Sequence, residues 1–124
     1  RSMPLVQHNA TTEFVSGNSN LPISTVVNDD LGSTQSGLWE QSLRPGEVIP
    51  THYHNVEEII TILKGRVECT VDGEAAIVDA DANGRATVFL PIGSRHQIRN
   101  IGETDMTMLA FFSSPAPEIF SADE

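Results

Sequence analysis

Apolar and polar residues alternate in short runs along this chain, and Gly, Pro, Asn and Asp interrupt them at intervals of roughly eight to twelve residues. A period of two marks strands with one buried and one exposed face. No segment carries the i, i+3, i+4 stripe of an amphipathic helix, so the expectation is an all-β domain. The first runs, Phe14–Val15 and Ile23–Val27, sit in a Ser/Thr/Asn-rich stretch and read as candidate edge strands. Gly37 to Leu43 follows and ends at Arg44-Pro45-Gly46. Val48–His54 is extended but interrupted by Pro50. Glu58 to Leu63 is a strong strand closed by Lys64-Gly65. Val67, Cys69 and Val71 then alternate with polar neighbours up to Asp72-Gly73, a two-residue hairpin signal. Ala75–Val78 returns, Asp79–Gly84 reads as a polar loop, and Ala86–Leu90 stops at Pro91-Ile92-Gly93. His96–Asn100 and Met106–Phe112 complete the set, and the segment from Ser113 reads as coil or a short helical turn. In the last strand either Met106, Met108, Ala110 and Phe112 or Thr107, Leu109 and Phe111 face inward. Short strands in this number suit a closed barrel or jelly roll.

A length of 124 residues fits one domain. The divisions expected are an extension over 1–36, a barrel core over 37–112 and a tail over 113–124. Seven basic residues against 17 acidic give a formal net charge of −10, a balance that repels nucleic acid and anionic membranes. No run of apolar residues is long enough to span a bilayer, and no basic segment precedes an apolar one as in a secretory signal. Cys69 is the single cysteine, so no disulfide forms within the chain, and a cytoplasmic location is expected.

His52 and His54 share strand parity, which puts both imidazoles on one face and Tyr53 on the other. Glu58 has the same parity and needs a turn near Asn55–Val56 to approach them. Glu57, its neighbour, points the other way. His96 follows a Pro-x-Gly turn about forty residues on. Three imidazoles and a carboxylate make a mixed N/O set suited to Fe(II), Mn(II), Ni(II), Zn(II) or Cu(II).

The spacing of these residues resembles that of the cupin superfamily. Gly46, five residues, His52-Tyr-His54, three residues, Glu58, six residues and Gly65 match its first motif. Pro91-Ile-Gly93-Ser-Arg-His96-Gln-Ile-Arg-Asn100 matches the end of its second. One departure stands before Pro91: Gly84 lies one residue too far away, and Arg85 occupies the aspartate position of the family. The resemblance covers residues 37–112 and implies a jelly-roll barrel with one divalent metal ion held by His52, His54, Glu58 and His96. It also implies a small organic substrate bound to that metal through oxygen.

On such a barrel Ile60 and Ile62 follow Glu58 inward, Ile98 and Asn100 follow His96, and Met108 joins the wall. Ile60, Ile62, Ile98 and Met108 are therefore the expected substrate contacts. Gln41 reaches the site only if its strand turns that way. Trp39 is expected to pack at an interface or core edge, and Arg95 and Arg99 to be exposed and paired with carboxylates. The resemblance favours a mononuclear metal enzyme, with Fe(II) and a dioxygenase reaction first and Glu58 as a metal ligand able to act as base. Redox-neutral isomerase, dehydratase, cyclase, decarboxylase or lyase chemistry and a non-catalytic binding module are the alternatives. A homodimer is expected, with the strands of residues 14–27 as its candidate contact.

Overall fold

The computed structural model describes residues 9, 13–15 and 20–124. His8 lies outside them, as does part of the 14–27 segment. Eleven strands are present among the described residues. In chain order they are β1 (Glu13–Val15), β2 (Pro22–Val27), β3 (Gly37–Leu43), β4 (Val48–Tyr53), β5 (Glu58–Lys64), β6 (Arg66–Val71), β7 (Glu74–Asp79), β8 (Ala86–Leu90), β9 (His96–Asn100), β10 (Met106–Phe112) and β11 (Phe120–Ser121). They form a six-stranded sheet, β1-β2-β3-β10-β5-β8, and a five-stranded sheet, β11-β4-β9-β6-β7, with antiparallel pairing throughout. This is the jelly-roll arrangement expected from the sequence. No helix among the described residues is long and apolar enough to cross a membrane.

Alternation decides which face of each strand is buried. Ile60 and Ile62 on β5, Val67 and Cys69 on β6, and Ile98 on β9 enter a common core. On β10 it is Met106, Met108, Ala110 and Phe112 that face in, which resolves the two options left by the sequence. Burial raises the Cys69 thiol to about 11 and leaves it a small apolar filler. On the outer face of the larger sheet, Leu38, Phe111, Ile59 and Phe89 sit opposite one another on β3, β10, β5 and β8. Ile59, Phe89 and Phe111 are large exposed apolar residues.

Turn chemistry fixes the register. Asp72 and Gly73 both have positive φ, as a two-residue hairpin of the I′ type requires. Gly65 has φ +97°, and a Cβ there would lie 2.8 Å from the Cα of Met106, so glycine alone fits the β5–β6 corner. The segment expected as a polar loop before β8 instead forms one helical turn, α1 (Ala80–Asn83). Asp79 caps it by accepting from the Ala82 N–H, and Asp81 accepts from Gly65 N–H. Such a turn is too short to show a helical period in sequence. Asn100 is buried and fully engaged: its amide donates to Leu43 O and Thr104 O, and its Oδ1 accepts from Gly102 N–H.

Candidate metal centre

β4 aims His52 inward through a bulge. Ile49 lies opposite Ile98 and His52 opposite His96, so Pro50 and Thr51 together span what Gln97 spans alone. The extra residue reverses parity, and Ile49 and His52, three apart, both face the interior. Pro50 has no N–H to contribute to a ladder, and a bulge is where its absence costs least. His54 follows the end of β4, and Glu58 opens β5 in the opposite sheet. His96 opens β9 after the Pro91–Gly93 turn. That turn is anchored by Gly93 N–H to His54 O at 3.0 Å, and Asp72 accepts from Ser94 Oγ and Arg95 N–H. The irregularity around Gly84 is absorbed at α1, ahead of β8, and does not reach His96.

The four side chains converge. One ligand atom from each of His52, His54, Glu58 and His96 lies within 4.8 Å of the others, and all four residues are buried. Glu58 Oε1 is 3.2 Å from His54 Nε2 and 3.1 Å from His96 Nε2. The Nδ1 atoms decide the proton positions. His52 Nδ1 lies 2.8 Å from Pro50 O, His96 Nδ1 2.9 Å from Ser94 O and His54 Nδ1 2.7 Å from Glu118 O. A carbonyl only accepts, so each Nδ1 carries a proton, and each ring in its neutral form turns an Nε2 lone pair to the centre.

Lone pairs facing a carboxylate make no hydrogen bond. His54 Nε2, Glu58 Oε1 and His96 Nε2 are buried without a hydrogen-bond partner. Leaving three such atoms unmet costs on the order of 3–9 kcal/mol, against a usual total stability of about 5–15. Either protons on the rings or a cation between them relieves this. Burial acts to raise the Glu58 carboxyl, and hydrogen bonds and charge from His54 and His96 rings protonated at Nε2 outweigh it and hold it at about 2; with neutral rings, a cation at the centre would supply that stabilisation. Burial and the adjacent His96 ring hold His52 down at about 4, so it is a neutral donor at pH 7. Ligands about 2.1 Å from one ion and at right angles to each other stand about 3.0 Å apart, close to the two measured separations. The residues present therefore fit a single divalent ion.

A cavity of about 30 Å³ adjoins the cluster, with room for about two water molecules. Ile49, Ile60, Ile98 and Met108 give it an apolar wall, and His52, Glu58 and His96 are its titratable groups. Ile62 is fully buried in the core instead and does not line this cavity. Trp39 does line it, and also packs its ring, tilted by 57°, against Phe112 at 4.4 Å, so it belongs to the site as well as the core. Gln41 lines it too, which settles the direction of β3 there. Glu57 is exposed and outside the cluster. Arg95 is half-buried rather than exposed: its guanidinium lies 3.8 Å from the Tyr53 ring centre and donates to Gly93 O. Arg99 is exposed.

The C-terminal segment enters the site, where the sequence led us to expect coil or a helical turn. β11 pairs with β4, Phe120 stacks on Tyr53, Glu118 supplies the carbonyl for His54, and Ile119 lines the cavity. Ile119 and Trp39 also border an open groove of about 380 Å³ with Phe14, Asn28 and Pro117, so they partition it from the metal cavity.

The cupin domain family profile matches residues 39–112. Over 89 residues, 71% of this chain and 55% of its relative, the sequence is 35% identical to the polyketide synthase CurC of Streptomyces cyaneus. It is 29% identical to auxin-binding protein 1 of Arabidopsis thaliana over 72% of this chain and 48% of the relative. The chain spans about half the length of the curated relatives it matches. Among solved structures, the polyketide cyclase RemF from Streptomyces resistomycificus superposes with a TM-score of 0.77 at 17% identity, covering 98% of this chain and 86% of that one. Oxalate oxidase superposes with 0.75 at 21%, covering 95% and 63%.

Proposed function

This chain belongs to the cupin family, and from that premise we propose that it is a mononuclear divalent-metal enzyme acting on a small carbonyl-bearing molecule. The observation that carries this reading is the set of buried, unpartnered Nε2 and carboxylate atoms beside an apolar cavity. His52, His54, His96 and Glu58 would hold the ion, with Fe(II), Mn(II), Ni(II), Zn(II) and Cu(II) all compatible with such donors. When bound, the ion supplies Lewis acidity toward a substrate oxygen. Ile49, Ile60, Ile98 and Met108 exclude water around the substrate's carbon skeleton. Among the described residues Glu58 is the one carboxylate on the cavity wall and the candidate acceptor of a proton next to the carbonyl. Trp39 and Ile119 stand where a substrate crosses from the outer groove.

Redox-neutral carbonyl chemistry, such as cyclisation through an enolate, is supported by the likeness to a polyketide synthase component and a polyketide cyclase. An Fe(II) dioxygenase is the second reading, resting on the three-His, one-Glu set. Metal analysis of natively expressed protein, followed by turnover of a diketone panel with and without oxygen, separates them. Turnover in the absence of oxygen is expected. A strict oxygen requirement transfers the assignment to the dioxygenase, and protein that takes up no divalent metal ends both. The proposal includes a homodimer, supported by the apolar row Leu38, Phe111, Ile59 and Phe89, of which the last three are exposed. Sedimentation at twice the 13.5 kDa chain mass is expected, and a single-chain mass at high concentration would rule it out.

A further inference from the structure

Two amide side chains are buried among the described residues, Asn100 and Gln41. They differ in one respect. Asn100 engages both ends of its amide in the hydrogen bonds described above. Gln41 is 6% exposed, and its amide makes no hydrogen bond to any described residue. It stands instead on the wall of the cavity it shares with His52, Glu58 and His96. The amide atoms are not among the fully enclosed partnerless ones, so they open onto the cavity, and an amide held there without a protein partner forgoes the burial that an apolar residue of similar size would give. Its neighbours on that wall, Ile23, Ile49, Ile98 and Met108, are such residues.

We propose that Gln41 is the specificity-determining residue of this site, hydrogen-bonding a second polar atom of the substrate while the first sits on the metal. The inference rests on the metal-dependent reading of the site. It defines the substrate class more closely: a small molecule with a metal-binding oxygen, a mostly apolar body and a second hydroxyl or carbonyl. An amide offers both a donor and an acceptor, so it accommodates either group. In the six-stranded sheet Gln41 pairs with Met108, whereas Glu58 pairs with Phe112, four residues further along β10. The amide is therefore displaced along the strands from the carboxylate. A site whose polar wall group is made to bond a substrate oxygen rejects the analogue lacking it, because that group is then left unpaired.

The test compares wild type with Gln41→Leu, both metal-loaded, using glycolate as probe and acetate as the analogue without the second oxygen. Each ligand's dissociation constant is measured by calorimetry, together with metal content and thermal midpoint. Wild type is expected to prefer glycolate, and Gln41→Leu to reduce the glycolate-to-acetate preference about tenfold at unchanged metal content. The thermal midpoint without ligand should rise in the variant, because an unpaired amide has been replaced by an apolar side chain. A fall in that midpoint would assign Gln41 to the architecture of the fold. An unchanged preference, or lost metal in the variant, would also overturn the proposal. Should neither probe bind, the midpoint alone decides. Absence of metal from the wild type would instead mark failure of the underlying metal reading.

Discussion

Replacing His96 with alanine is expected to weaken divalent-metal binding on the order of 100-fold or more, leaving protein that purifies essentially free of metal. The size of the effect follows from geometry. His96 Nε2 stands 3.1 Å from Glu58 Oε1 and brings the five-stranded sheet to the site, while Glu58 brings the six-stranded one. Without that ring an ion loses a nitrogen donor, and a void opens beside a buried carboxylate. Metal content and competition with a chelator give the measurement, and circular dichroism confirms folding. Glu58→Gln guards against the case in which the alanine variant does not fold. Its amide can donate to an Nε2 lone pair that the carboxylate cannot satisfy, so metal affinity should fall while the metal-free protein becomes more heat-stable. Full metal occupancy in both variants would show that this cluster is not where the ion binds.

Removing residues 118–124 is expected to weaken metal binding about 10–100-fold, the usual effect of losing a group that orients a ligating histidine. His52 and His96 find their acceptors two residues upstream, at Pro50 O and Ser94 O, whereas His54 depends on Glu118, 64 residues away. Deletion frees that ring to turn and removes Ile119 from the cavity wall. Metal dissociation should be faster as well. Phe120→Ala keeps the main chain and loses only the stacking on Tyr53, so a smaller change in the same direction is expected. Chelator-competition kinetics on both proteins provide the check. Identical metal off-rates in wild type and the shortened chain would show that His54 needs no help from this segment.

Residues whose positions follow from spacing were legible in the sequence, and those that depend on main-chain path were not. His52, His54, Glu58 and His96 could be named because histidines two apart, a carboxylate four on and a Pro-x-Gly-x-x-His turn are all visible side chains. Most strands could be placed because apolar runs such as β5 and β10, and the alternating β6, are bounded by Gly, Pro, Asn and Asp. β3 reads Gly-Leu-Trp-Glu-Gln-Ser-Leu, with apolar and polar residues on both faces, so the inward turn of Gln41 was hidden. The bulge at Pro50 and Thr51 shifts parity without a signal beyond the proline itself. Around β11, Ser-Pro-Ala-Pro-Glu-Ile-Phe-Ser has two prolines and no alternation, so neither the two-residue strand nor its docking on β4 could be foreseen. No residue type marks the Glu118 carbonyl, because every residue has one.

The three histidine rings of the candidate metal site are held by main-chain oxygens rather than by side chains. No point substitution can delete a carbonyl, so the aim of these ligands is inherited with the course of the backbone and not with particular neighbours. Drift in the surrounding side chains leaves that aim in place as long as the loops keep their shape. Such a scaffold can acquire a new cavity wall for a new substrate while the ligand set stays as it is, and diversification of function need not pass through a metal-free ancestor.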